Sequence, residues 1–300
     1  MRKAVLTITL VMGLVISGVA RAQGEEFITV EGPDLKSRLE AGVRLGRARS
    51  QHTNFWIAYS FNVRPGVGID LHLPGLDVQG VITGVDSEYE TRNAGIFMLF
   101  EPQGGAVIEV ELQDLDHRSS SVSGHPVYWL GRAGNEESLN LLQKLIESSR
   151  SAETSEELAQ AVALHDDPRV ITVLKSLFRN SSVEEVRIKA LSWIGRAPGQ
   201  LSFLSEVVRN ERESPEVRGR AVMIIGRSRE AAALPTLQSL YRSITNREVK
   251  QRIIDAALKN DDREHAINFL TKIAQSDPDF ELREHAQTRL RRKAGRRLDQ

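Results

Sequence analysis

Apolar residues in the second half of the chain recur at helical spacing, and the recurrence itself repeats. Val186–Arg196 reads VRIKALSWIGR and Val217–Arg227 reads VRGRAVMIIGR. A more divergent copy, VKQRIIDAALK, spans Val249–Lys259, and a fourth begins LREHAQTRLRR at Leu282, so successive starts lie 31, 32 and 33 residues apart. A second apolar column runs out of phase with the first: Leu139/Leu142/Leu145, Val170/Val173/Leu177, Leu201/Leu204/Val207, Leu234/Leu237/Leu240 and Ile267/Leu270/Ile273, with starts 31, 31, 33 and 33 apart. The shared drift marks one repeating unit of two helices, A (first column) and B (second column), joined by short turns. Pro168, Pro198, Pro215 and Pro278 fall between the apolar runs, where proline can open a helix but not continue one. Neither helix buries its stripe alone; stacking successive units does.

Upstream the period changes. Gly32–Arg49 carries one short helical pattern, with Pro33 at its first position, Asp34 in its first turn, and Leu35, Leu39 and Val43 on one face. From Asn54 the period is 2: Phe55, Ile57, Tyr59, Phe61 and Val63 alternate with Trp56, Ala58, Ser60 and Asn62, which predicts a half-buried strand. Val67–Leu73, Val78–Val85, Gly95–Phe100 and Ala106–Leu112 predict four more strands, separated by turn residues. The expected fold class is therefore mostly α: an α-solenoid over 125–294, preceded by a small antiparallel β domain over 50–117. A Ser-rich linker at 118–124 joins the two, 23–49 holds the short helix, and 295–300 is a basic tail. Leu130-Gly131-Arg132 reads as the end of a degenerate first helical unit.

Three compositional features refine this picture. Residues 1–22 have the form of a signal peptide: Arg2-Lys3, an uncharged apolar run over Ala4–Val19, then Ala20-Arg21-Ala22, with cleavage expected before Gln23. Export, to the periplasm or beyond, is the expected localisation. The run is shorter than the ~20 apolar residues of a spanning helix, so no stable membrane insertion is expected after cleavage. Second, the chain has no cysteine, which rules out disulfides, thiol catalysis and cysteine-ligated zinc. Third, the net charge is zero over the full chain, and loss of Arg2, Lys3 and Arg21 leaves 37 basic against 40 acidic groups. That balance gives no global attraction to nucleic acid. Arg289, Arg291, Arg292, Lys293, Arg296 and Arg297 concentrate positive charge at the end, where a weak contact with an anionic surface is one reading and a solvated helix terminus the other.

The pattern acidic-Φ-[RK]-x-x-A-x-x-x-[IL]-G resembles the short HEAT-like repeats found in phycobilisome-lyase proteins. It is carried by Glu185, Val186, Arg187, Ala190, Ile194 and Gly195, and again by Glu216, Val217, Arg218, Ala221, Ile225 and Gly226. The third copy keeps Glu248, Val249 and Lys250, and the fourth Glu281, Leu282, Arg283 and Ala286. The resemblance implies a stack of helix pairs and, in most such proteins, binding of a protein partner. A minority are lyases or di-iron enzymes that use His-Glu dipeptides. At the repeat positions, Ala190 and Ala221 are expected to let helices approach closely, Gly195 and Gly226 to form left-handed caps, and the Glu-Φ-Arg/Lys triplets to pair between units.

Candidate chemistry is sparse. Glu264-His265 and Glu284-His285 sit in two identical R-E-H-A strings, a metal set only if they converged, and the strings fall on different helix types. Asp116-His117 beside Ser119–Ser121 has the residue types of a hydrolase triad, but a triad is defined by geometry rather than adjacency. No catalytic residue, metal or cofactor is expected. Phe55, Trp56 and Tyr59 could line a small-ligand face of the β domain or fill its core, and a lyase-like or chaperone-like function would need the former. The favoured reading is a scaffold whose B helices line a concave groove. The outward positions there are Lys175, Arg179, Glu206, Arg209, Ser239, Arg242 and Lys272, a mixed-charge series suited to a protein partner.

Overall fold

The computed structural model of the chain describes residues 27–50, 52–73, 76–102, 105–117, 122 and 124–295. The expected signal segment, most of the Ser-rich stretch and the last five residues lie outside them. The chain runs β1 (Phe27–Thr29), α1 (Leu35–Arg49), β2 (Phe55–Asn62), β3 (Val67–Leu73), β4 (Leu76–Thr83), β5 (Asn93–Phe100), β6 (Val107–Asp114) and β7 (Val127–Arg132), then ten helices. These are α2 (Asn135–Ser148), α3 (Ala152–Leu164), α4 (Val170–Asn180), α5 (Glu184–Ile194), α6 (Leu201–Arg209), α7 (Pro215–Arg227), α8 (Ala233–Ser243), α9 (Arg247–Ala257), α10 (Arg263–Ser276) and α11 (Phe280–Gly295).

The helices form two layers. The A helices α3, α5, α7, α9 and α11 touch in succession, as do the B helices α2, α4, α6, α8 and α10, with α4 meeting α6 through Phe178 and Phe203. In the A layer small or branched residues are buried in register, Val186, Ala190 and Ile194 on α5, Val217, Ala221 and Ile225 on α7, and Val249, Ile253 and Ala256 on α9. In the B layer they include predicted column residues, such as Val170 and Leu177, Leu204 and Val207, and Leu237 and Leu240, while on α4 Leu174 is buried and the expected Val173 only half-buried.

The sheet differs from expectation in two ways. Its order is β1-β7-β2-β5-β6, and it is mixed: β2, β5 and β6 are antiparallel, while β7 runs parallel to both β1 and β2. The boundary expected at 125 is corrected accordingly. Val127–Arg132, including Leu130-Gly131-Arg132, is an interior strand and not the end of a helical unit, and the helical stack begins at Asn135. β2 is correspondingly buried on both faces rather than one, because it lies between β5 and β7. β3 and β4 form a separate hairpin.

One face of the sheet, with Phe55, Ile57, Tyr59, Phe61, Ile96, Met98, Tyr128 and Leu130, belongs to the same apolar cluster as the helices. α1, α2 and α3 all touch the sheet. The other face holds Trp56, Ala58, Phe97, Leu99 and Val127 under Val122 and Trp129. The sheet thus covers the apolar side that the first helices of a stack would otherwise expose to water, the part played by a capping repeat.

Candidate functional site

The repeat-motif residues settle into roles partly different from those expected. Ala190 and Ala221 are fully buried, as close helix approach requires. Gly195 and Gly226 are not left-handed caps: Gly195 has φ −68°, and Gly226 lies within α7 outside the positive-φ residues. They are glycines because the next A helix presses on them. A Cβ on Gly195 would run into Ile224, and one on Gly226 would sit 2.5 Å from the carbonyl oxygen of Ala256. The basic residue of the triplet also acts differently. Arg187 Nε donates to Phe178 O at 2.9 Å, Arg218 Nε to Val208 O at 2.8 Å and Arg283 Nη1 to Asp277 O at 2.6 Å. Each neutralises an orphan carbonyl at the C-terminal end of the preceding B helix. Pairing between units does occur, mainly through other cations: Lys189–Glu156, Arg252–Glu216, Arg247–Glu281 and Arg289–Asp255.

The candidate chemical residues disperse. His117 Nδ1 meets Asp114 Oδ2 at 2.7 Å, while Asp116 accepts from the backbone of Arg92 and Asn93, so the Asp116-His117 pair does not act as a unit. The serines of that reading lie outside the described residues. His265 turns to its own cap residue, Asp262, at 2.9 Å, and His285 to Asp255 on α9 at 2.8 Å. Phe55 and Tyr59 point into the core, and Trp56 into the cluster on the opposite face.

A network that the sequence did not suggest lies at the seam between sheet and helices. Tyr59 Oη and Ser138 Oγ are 2.9 Å apart, and Ser138 Oγ lies 2.7 Å from His165 Nε2. His165 Nδ1 lies 2.8 Å from Ala161 O, a carbonyl that can only accept, so Nδ1 carries the proton and Nε2 accepts from Ser138. The imidazole stacks on Phe61 at 4.1 Å. Burial lowers its pKa from 6.5 to about 4, so the ring is neutral. Ser138 is wholly buried, so this serine–histidine contact has no access to a substrate and joins β2 to α2 and α3.

The expected partner-binding residues lie on the B helices, and all but Lys175, which is half-buried, are exposed. Lys175 and Arg179 of α4 both reach the ring of Phe203 on α6, at 4.9 and 5.6 Å. Arg242 of α8 and Lys272 of α10 line one groove of about 540 Å³ together with Gln238, His265 and Phe269. Glu206, Arg209 and Ser239 stand on the open surface between these pairs. None of the six charged members has an ion-pair partner among the described residues, whereas the A layer carries the inter-unit pairs named above.

Two clefts lie along the turns that follow the A helices, the larger of them reaching Thr83 at the end of β4. The first, about 310 Å³, is bounded by Arg64, His165, Asp167, Leu174, Trp193 and Arg196. The second, about 940 Å³, shares Arg196 with it and extends over Arg220, Ile224, Arg227 and Arg229 to Thr83. No local spacing signals this meeting, since Arg64 and Arg196 are separated by 131 intervening positions.

Comparison with known proteins agrees with the repeat architecture. No curated protein matches the chain. The profile of the family described as HEAT repeats matches residues 108–195 and 201–291, so its first stretch enters at β6 and takes in β7 before reaching helix. The two stretches cover more than half of the chain, and with the two-layered stack of A and B helices they identify it as a member of the HEAT-repeat family.

Proposed function

We propose that the protein is an exported, non-enzymatic scaffold that holds a protein partner along its B helices. HEAT repeats are a protein-interaction architecture and mostly non-catalytic, and stacked repeats of this kind present extended surfaces to their ligands. The observation that carries the reading is the unequal use of charge. Lys175, Arg179, Glu206, Arg209, Arg242 and Lys272 stand on successive B helices with no ion-pair partner among the described residues, so they are free to meet charges of another molecule. Export rests on the pattern of Met1–Ala22. Charged groups at the margin of an interface govern association rate and specificity more than total affinity.

The test is crosslinking capture from the cell envelope with the wild-type protein and the Arg209→Glu/Arg242→Glu variant. The variant is expected to lose most of the wild-type's specific partner while melting at the same temperature. Undiminished capture would remove the B-helix face from consideration. Intact mass of the exported protein is expected to place its N-terminus at Gln23, and a full-length chain would refute cleavage.

A further inference from the structure

The paired clefts at the hairpin junction hold a concentration of arginine that the fold itself does not use. Arg64 and Arg196 both lie over the indole of Trp193, with Cζ at 5.8 and 4.2 Å from the ring centroid. Arg196 touches Thr83 Oγ1 at 3.3 Å and Arg220 touches Ser192 Oγ at 3.1 Å, both neutral partners. Arg64 Nε is buried and unpartnered. Among the described residues no carboxylate lies within ion-pair distance of Arg64, Arg196, Arg220, Arg227 or Arg229.

The acids that border the clefts are committed elsewhere. Asp166 pairs with Arg92, Asp167 with Arg169, and Glu230 accepts from Gly199 N. Burial, and then the proximity of Arg196 to Arg64 and of Arg220 to Arg196, lowers the pKa of both Arg64 and Arg196. Like charges gathered over one aromatic ring without a counter-ion form a site whose electrostatics are completed by an anion.

Its shape and floor narrow the class of anion. Trp193, Ile224, Met223 and Pro198 contribute apolar surface between the guanidiniums. Arg196 and Arg227 occupy the same position in successive repeat motifs, 31 residues apart. Packed helices lie about 8–10 Å apart, which is about three residues of extended chain at ~3.3 Å each. Inorganic phosphate would engage one or two arginines and leave the apolar floor unused.

We propose that this trough is a docking site for an acidic peptide segment, extended across the turns after α5 and α7, with Asp or Glu about every third residue and apolar side chains between. It shares with the scaffold reading only the premise that the ligand is protein, and it uses none of the B-helix residues named there.

A fluorescein-labelled peptide with glutamate at every third position and leucine and alanine between is titrated by anisotropy against the full chain at low salt. Saturable binding is expected, weakening as salt rises, with a change in Trp193 fluorescence that Trp193→Phe abolishes. Arg196→Glu/Arg220→Glu should weaken binding about tenfold or more. The rim pair Arg227→Glu/Arg229→Glu, both exposed, serves if the first variant fails to fold. Arg209→Glu/Arg242→Glu should leave peptide binding unchanged, so loss of this site and loss of the B-helix face are read separately. No saturable binding, equal binding by the arginine variants, or stronger competition by inorganic phosphate or single-stranded DNA than by unlabelled peptide would each overturn the assignment.

Discussion

The two helical layers have the same number of helices and nearly the same period, yet they spend their polar residues differently. The A layer is closed on itself. Its alanines and glycines let one backbone rest on the next, and, the arginines of the trough apart, its charges such as Arg187, Arg218, Arg252 and Arg289 bridge successive helices or cap the B helices behind them. The B layer packs through larger side chains, and its free charges point outward. Substitutions between the A helices should therefore register as stability, and those on the outer B face as recognition.

The sharpest way to break this contrast is to remove an A helix outright. Deletion of Asp279–Gln300 uncovers the site of Leu282 and Ala286 and severs Arg247–Glu281 and Arg289–Asp255. Loss of the terminal member of a stack should lower the melting temperature markedly or cause aggregation. An unchanged melt would show that α11 is dispensable.

Next in size is Gly226→Val. Its side chain meets the Ala256 backbone, which cannot rotate away, so α7 and α9 must separate at a cost of about 3 kcal/mol or more. Chemical denaturation measures this. Gly199→Val serves as control, since its positive φ adds strain but no neighbour blocks the side chain; a larger loss there would contradict the packing account.

Acid should act at the beginning of the A layer, through His165 at the end of α3. The unfolded chain protonates this ring near pH 6.5 and the folded chain only near 4. The folded pKa is depressed, so stability present above pH 6.5 is lost as pH falls toward 4, by roughly 3 kcal/mol. Denaturation profiles of the wild type and His165→Gln should diverge in slope across this window. Parallel profiles would show that the ring does not control it.

Arg218→Ala is expected to cost about 2 kcal/mol, because it strands the buried Val208 carbonyl. The smallest effect belongs to the outer B face: Arg179→Ser with Arg209→Ser should shift stability by no more than about 0.5 kcal/mol. A larger loss would mean that these side chains support the fold after all.

The solenoid was legible because its signal is local and repeated. The A motif and the B column each depend on spacings inside one helix, and four copies of the first and five of the second reinforce them. The short strands were found for the same reason, since β2 to β6 each alternate or end at a turn. β7 was missed because Leu130-Gly131-Arg132 imitates the close of a repeat motif, and only its non-local partners reveal it as a strand. The glycines were misjudged because a left-handed cap and a close helix contact leave the same letter in a sequence. On the B face, position could be read from the helical period. The arginine trough could not, because it depends on a hairpin from one end of the chain reaching turns more than a hundred residues later.

The placement of β7 also bears on how the chain acquires its structure. This strand lies between β1 and β2, although it is the last of the seven to be made. Until Arg132 has been made, β1 has no neighbour and β2 has one free edge. Pairing of this kind, between segments some 70 to 100 residues apart, forms slowly and leaves edges open to other chains. Yet α2 begins within three residues of the strand's end, so completion of the sheet and the start of the helical stack fall at nearly the same moment. The sheet waits on its own last strand, and the solenoid grows from the surface that strand completes.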